Sequence, residues 1–333
     1  MPHRQIVTPP PAALDRNLAL EVVRVTEASA LAAARWIGRG DEKAADESAS
    51  AAMRQALNSL VMDGVVVNGQ SDDEAVPLHT GEKVGTGQGP KVDIVLTALE
   101  GATICAKGSH NALSVVALTE EGSFLHVPDS VYMEKIAVGG GLPAGVVDLD
   151  STPEENLARV AQAKGLDVTD LTVCVLDRPR HTELIGRLYD AGARVVLIDD
   201  GDVSGAIATG LAQTGIDLYM GSGGAAQGVL AAAGLKCLGG QFQGRMILRS
   251  ESDRARCRAS GLDCGRRFDI EDMVKGEVMF AASGITDGHV LDGVCTRGNR
   301  GISHSLVMRS LTGTIRYLTV HHDFAKSAPV EHR

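Results

Sequence analysis

Apolar runs alternate with polar, glycine-marked turns along most of this chain, and each run is short enough to be a single strand or helix. Leu18, Val22, Val25 and Leu31 recur at roughly helical spacing behind Asp15. They predict a capped helix over 16–36, ended by Gly38-Arg39-Gly40-Asp41. A second helix is predicted over 45–58, with Met53, Leu57 and Leu60 turned inward. Val65-Val66-Val67 predicts a short strand, and the apolar, β-branched run of 92–101 a buried one that stops at a small-residue turn carrying Glu100. A further apolar segment covers 111–118, and Tyr132-Met133-Glu134-Lys135 leads into another strand. Thr152-Pro153-Glu154-Glu155 has the form of a capping-box helix start. Beyond it the pattern alternates, with strands over 171–176, 193–198 and 218–220 and helices over 182–191, 204–211 and 229–233. Strands over 279–282, 305–308 and 314–318 close the pattern. Residues 1–14 and 322–333 read as tails, and the glycine-rich 139–150 as the border between subdomains 15–150 and 151–321.

Composition narrows the class. The chain has 333 residues, too many for one ordinary core, and 39 of them are glycine against 3% aromatics. Small aliphatic cores between glycine turns suit α/β layering. A net charge of −10 argues against nucleic acid, whose phosphate backbone rewards clustered lysine and arginine. No apolar run is long enough to span a bilayer. The six cysteines show no CxxC spacing and no secretory signal precedes them, so reduced thiols in a cytoplasmic protein are expected. Cys257 and Cys264 are the one spacing that also suits a redox pair or half a metal site.

Chemistry in an open α/β sheet gathers at the carboxyl ends of strands. The 92–101 strand delivers one acid there, Glu100, with only Thr97, Ala98 and Ala102 around it. A divalent cation needs several converging oxygen anions, so this is a thin metal site. Arg178-Pro179-Arg180-His181 follows a strand and presents two guanidinium forks suited to phosphate oxygens. Asp200-Gly201-Asp202 brings acids to another strand end, suited to sugar hydroxyls or a metal. The glycine loop at 221–228 opens a helix whose free N–H groups suit an anion. Together these describe a sugar-phosphate pocket. Cys105, Lys107 and His110, just beyond Glu100, are candidates for proton transfer, although each singly reads as readily as space-filling.

Gly38-Arg39-Gly40-Asp41, Gly81-Glu82-Lys83-Val84-Gly85-Thr86-Gly87, Tyr132-Met133-Glu134-Lys135, Pro179-Arg180-His181, Asp200-Gly201-Asp202-Val203, Gly223-Gly224-Ala225 and Ser283-Gly284-Ile285-Thr286 together resemble the class II fructose-1,6-bisphosphatases, which include the bifunctional fructose/sedoheptulose bisphosphatases. The resemblance runs in order from about Leu18 to Leu318. It implies a layered α/β/α/β/α sugar-phosphatase fold, a cleft between two subdomains, a homo-oligomer (dimer or tetramer), and removal of the 1-phosphate of a ketose bisphosphate with divalent metal. It also implies substrate-binding roles for Tyr132, Lys135, Arg178, Arg180, His181, Asp200, Asp202, Gly223, Gly224 and the position of Gln227. Asp41, Glu100 and, as a shortened acid, Asp72 match metal-ligand positions. The chain departs from the family elsewhere. Gln70 stands for a glutamate of Gly-Glu-Gly-Glu, and Thr97 and Ala102 for the aspartate and threonine of Asp-Pro-Ile-Glu-Gly-Thr. Gln227 stands for the glutamate of Gly-Gly-Ala-Pro-Glu-Gly. Three lost carboxylates weaken Mg²⁺ or Mn²⁺ binding, and the lost hydroxyl removes a group that helps activate water. The sequence therefore suggests an enzyme repurposed for metal-poor, isomerase- or epimerase-type acid–base chemistry on a ketose phosphate, with His110, Cys105, Lys107 and Glu100 catalytic and either no cofactor or Mg²⁺ or Mn²⁺. The alternatives are a Mg²⁺- or Mn²⁺-dependent fructose-1,6-/sedoheptulose-1,7-bisphosphatase of altered activity, and a non-catalytic sugar-phosphate sensor.

Overall fold

The apolar runs assemble into two sheets with helices outside and between them. The computed structural model describes residues 16–128 and 130–326. In chain order, α1 (Arg16–Ala34), α2 (Glu42–Leu57), β1 (Asp63–Asn68), β2 (Lys83–Val84), β3 (Lys91–Glu100), α3 (Ala102–Lys107) and β4 (Leu113–Glu120) come first. Next come β5 (Tyr132–Val138), α4 (Pro153–Lys164), β6 (Thr172–Leu176), α5 (Thr182–Asp190), β7 (Arg194–Ile198), α6 (Asp202–Ala208) and β8 (Leu218–Gly224). Then follow α7 (Ala225–Leu238), β9 (Gln241–Ile247), α8 (Glu251–Ser260), β10 (Arg267–Asp269) and α9 (Ile270–Met273). The last strands are β11 (Met279–Gly284), β12 (Cys295–Arg297), β13 (Arg300–Arg309) and β14 (Thr314–Asp323).

Among the described residues, one sheet of eight strands runs β12-β13-β11-β4-β3-β1-β2, with β14 also paired to β13. The other, of six strands, runs β10-β9-β5-β8-β6-β7. Three cores define the layers. Val22, Val25, Met53 and Leu57 of α1 and α2 cover one face of the first sheet through Ile94, Leu96 and Val116. The opposite faces of β3 and β4, carrying Val95, Val115 and Ala117, pack on α6 and α7, which also meet Met133 and Ala137 of β5. Leu157, Val160 and Leu188 of α4 and α5 cover the outer face of the second sheet. The result is an α/β/α/β/α stack. β3 is buried from Val92 to Glu100 because both of its faces are covered, which is why its sequence shows no polar stripe. The middle helices fit because they are built from Ala, Gly and Val, and α6 is buried at every residue.

The sheets do not divide the chain at residue 150. The change of sheet falls between β4 and β5, and β11 to β14 return to the first sheet. The 15–150/151–321 division thus does not follow strand pairing. The 1–14 tail lies outside the described residues. At the other end β14 continues through His322 to Asp323, so a strand stands where a tail was expected. The six-thiol expectation is corrected as well: Cys257 is bonded to Cys264 across the end of α8. Among the described residues no helix is long and apolar enough to cross a membrane.

Candidate active site

Glu100 reaches its place through an irregularity in β3. The strand pairs with β4 up to Thr97 opposite Val115 and resumes with Glu100 opposite Leu113, leaving one extra residue in β3. Such a bulge bends a strand and re-aims the side chain that follows. Here it brings the Glu100 carboxylate under the start of α6. Oε1 accepts from the Val203 N–H at 2.8 Å and Oε2 from the Ser204 N–H at 3.4 Å. Gly201, at φ +90, makes the left-handed turn into that helix, and a Cβ there would lie 3.2 Å from the Asn111 carbonyl oxygen. Burial above all, and then the Asp202 charge beside it, hold the Glu100 carboxyl well above the ordinary carboxylate range.

The second sheet answers with a cation. Lys135 shares its face of β5 with Met133 and Ala137, so it points into the middle layer, where its Nζ pairs with Asp202 Oδ2. Lys135 is 1% exposed and Asp202 7%. Only a glycine leaves room for this pair, since a Cβ on Gly223 would overlap Asp202 Oδ2 and stand 3.3 Å from Lys135 Nζ. Arg180 donates through Nη2 to the Ser222 carbonyl oxygen at 2.6 Å. Its guanidinium carbon lies 5.3 Å from the Tyr132 ring centroid, and that of Arg249 lies 4.1 Å away. Arg178 stands 3.9 Å from Asp200. Burial raises the Asp200 carboxyl, opposed by the Gly201 N–H and by Arg178.

Part of this arrangement borders a cleft of about 440 Å³, whose lining does not include Lys135, expected from sequence to bind substrate, nor Ser222 or Arg249. Of the residues singled out from sequence, Glu100, Tyr132, Arg178, Arg180, Asp200 and Asp202 line it, as do Gly223, Gly224 and Gln227 at the start of α7. Gln70, Thr97 and Ala102 line it too.

The structure does not bring the remaining candidates there. Cys105 is fully buried in the core beneath α1, its Sγ 3.8 Å from the Ala33 carbonyl oxygen. Burial pushes its thiol up to about 11, away from nucleophile territory. Lys107 is exposed at the end of α3. His110 is exposed and sits 3.2 Å from the Asp287 carbonyl oxygen. The expectation that these three flank Glu100 is corrected: α3 turns them away from the cleft. His181 faces away as well. Its Nδ1 donates to the Leu176 carbonyl oxygen at 2.8 Å and its Nε2 accepts from the Ser222 N–H at 2.9 Å, so both ring nitrogens are used in fixing the Arg178–His181 turn to β8.

Burial, reinforced by Arg180, Arg178 and Arg249, lowers the His181 pKa below its ordinary 6.5. The unfolded chain then binds a proton that the folded chain refuses, so stability falls as pH drops through that value, by at most about 1.4 kcal/mol per pH unit. His181→Gln is expected to be less stable at neutral pH but to show a flatter loss between pH 7 and 5. Urea unfolding across that range checks this, and an unchanged slope would contradict it.

The whole chain was compared with known proteins. Residues 16–322 match the sequence model of the family described as bacterial fructose-1,6-bisphosphatase, glpX-encoded. Fructose-1,6-bisphosphatase 1 class 2 of Escherichia coli K12 is 40% identical over 329 residues, covering 94% of this chain and 97% of the relative. The class 2 enzymes of Escherichia coli O6:H1 and Shigella flexneri align with the same identity and coverage. The chain belongs to the class II fructose-1,6-bisphosphatase family. Family members depend on divalent metal, and the residues present here do not fit a paired metal centre. Among the described residues no three His, Cys, Asp or Glu side chains converge as ligands. Both Glu100 oxygens accept from α6 amides and Asp202 pairs with Lys135. Gln70 donates to Ser50 Oγ at 2.9 Å. Asp41 caps α2, accepting from the Ala44 N–H at 2.9 Å. Asp72 is exposed, and neither it nor Asp41 lines the cleft.

Arg249, over the Tyr132 ring, and Ser222, bonded to Arg180 and His181, were not singled out from sequence; they support the site and do not line it. A signal for Arg249 existed: it directly precedes the Ser250–Asp253 capping box of α8, and Asp253 Oδ2 accepts from its N–H at 2.9 Å. That box fixes where the arginine projects.

Proposed function

We propose that the cleft binds a ketose bisphosphate or a closely related sugar phosphate, and that this chain has lost the paired-metal hydrolysis of its family. One observation carries the reading: the positions where the family's carboxylates and hydroxyl are lost, Gln70, Thr97, Ala102 and Gln227, line the same cleft as Arg178, Arg180, Tyr132, Asp200 and Asp202. Charge that would hold cations is missing there, while the arginines suited to an anion are kept. A divalent cation gives up hydration only for carboxylate charge, and Gln and Thr offer oxygen without charge. The recognising half needs no metal. Two arginines present N–H forks, the first turn of α7 adds backbone N–H groups at its positive end, and Asp200 accepts from hydroxyls. The acid–base reading has lost its support, since Cys105, Lys107 and His110 do not line the cleft.

Calorimetric titration with fructose 1,6-bisphosphate in chelator-treated buffer tests the proposal. Binding is expected without metal, and Arg180→Ala is expected to weaken it about tenfold or more, the value of one charge-assisted contact. Arg194→Ala, at a surface pair with Asp170, serves as the control and is expected to leave affinity unchanged. Absence of binding in chelator would count against the reading. A second reading, a divalent-metal-dependent fructose-1,6-bisphosphatase, is favoured by 40% identity over nearly the full length of enzymes so named. Phosphate release with Mn²⁺ separates the two. Solvent deuterium is expected not to enter a bound ketose phosphate, and its entry would revive the isomerase reading.

A further inference from the structure

Away from the cleft, the end of the first sheet carries an arrangement that sugar-phosphate recognition does not use. β12 and β13 form a hairpin in which Arg297 pairs directly opposite Arg300, and Arg300 in turn stands opposite Asp323 of β14. Two residues along, the next row is Cys295, Ile302 and His321. Alternate residues of a strand share a face, so both rows point the same way. All six line one surface pocket of about 550 Å³.

Two features of this pocket point to an anion that approaches a thiol. Like charges directly opposite across an antiparallel pair are destabilising. Arg297 and Arg300 are such a pair, exposed, and neither forms a salt bridge among the described residues. Asp323 contributes one negative charge to the row, but it is already shared with Lys326 at 3.9 Å. An excess of positive charge is thus fixed at one spot on a chain whose net charge is −10. The second feature is Cys295 itself. It is exposed, whereas Cys105, Cys174 and Cys237 are free but buried and Cys257 is bonded to Cys264. Along a strand, residues i and i+2 lie about 7 Å apart at the backbone, so Cys295 and Arg297 start from neighbouring positions on one face and line the same pocket. A carboxylate held a few bonds from a disulfide sulfur spans such a gap.

We propose that this pocket is a modification site, at which Cys295 forms a mixed disulfide with a small, carboxylate-bearing disulfide docked by Arg297 and Arg300. The Cys295 thiol gives its proton to water, and its sulfur attacks one sulfur of the incoming disulfide. A new S–S bond forms as the old one breaks, and the departing thiolate leaves with that electron pair and takes up a proton. The incoming disulfide is the only oxidant required. The site is separate from the cleft, so it stands whether or not the proposed binding function does.

The test compares two disulfides on the full chain by intact mass and peptide mapping. Oxidised glutathione carries several carboxylates, and hydroxyethyl disulfide carries no charge. With oxidised glutathione one adduct is expected, at Cys295, and none in Cys295→Ser. In the Arg297→Gln, Arg300→Gln double variant its rate of formation is expected to fall about tenfold, and added salt should narrow the gap. The rate with hydroxyethyl disulfide should be unchanged, which also shows that the variant is folded around Cys295. An adduct mapped to another cysteine, no adduct, or an equal fall with both disulfides would overturn the proposal. The last outcome would mean that exposure alone governs the thiol.

Discussion

Changing Gln70→Glu, Thr97→Asp, Ala102→Thr and Gln227→Glu together is expected to raise Mn²⁺-dependent phosphate release from fructose 1,6-bisphosphate by about a thousandfold or more over the unaltered chain. All four positions already line the cleft, so the change restores charge without moving backbone. The magnitude follows from what is returned: three carboxylates to gather a divalent ion and one hydroxyl to orient water, where a single oriented group is worth two or more powers of ten. The variant has a second signature. A carboxylate at position 70 would face Asp46, which now accepts from Gln70 Nε2 at 3.4 Å and whose own carboxyl is already raised by burial. In chelator the variant is therefore expected to melt below the unaltered chain, and added Mn²⁺ should reverse the order. Phosphate release and thermal melting with and without metal check both. Metal uptake with no gain in rate would mean that the cleft is shaped for something other than hydrolysis.

Lys135→Met, beside the cleft, is expected to cost about 3–5 kcal/mol of stability near neutral pH, more than any single change in the cleft lining. Lys135 is the cation that pairs with Asp202, and both are nearly inaccessible to water. Removing it leaves Glu100, Asp200 and Asp202 together without that counter-charge. Asp202→Asn should be milder even though it breaks the same pair. After burial, Asp202 is the largest influence raising the Glu100 carboxyl; without it Glu100 ionises more readily and can offset the Lys135 charge in its place. The pH dependence distinguishes this from simple loss of packing. A carboxylate stranded in the core has a folded-state pKa above its unfolded one, so the stability it permits is present at low pH and lost as pH rises. The Lys135→Met deficit is thus expected to shrink between pH 7 and pH 5. Equal deficits for the two variants at both pH values would contradict this account.

The fold was legible where a segment is governed by one local rule. β3 shows no polar face because both faces are covered, and Thr152 caps α4 through the capping box its sequence displays. β9 was missed because only Phe242, Gly244 and Met246 point inward from a run that also carries Gln241, Gln243 and Arg245. Gly139 and Gly140 mark close backbone approach, with a Cβ on Gly140 held 2.7 Å from the Leu238 carbonyl oxygen, a role that glycine content alone does not distinguish from a linker. Spacing in sequence suggested that Cys105, Lys107 and His110 follow Glu100 into the site. The left-handed turn at Gly101 and the short helix after it carry them elsewhere. What the sequence did convey was where the cleft lies, because Arg178, Asp200 and Gly224, which line it, all lie at strand ends.

We propose above that this cleft holds a sugar phosphate without a paired-metal centre. Crystals grown with fructose 1,6-bisphosphate and millimolar Mn²⁺, measured at the manganese absorption edge, address it directly. The account predicts intact bisphosphate against Arg178 and Arg180 and no pair of anomalous peaks between Glu100 and Thr97. Two fully occupied manganese positions there, or a product with its phosphate cleaved, would contradict it.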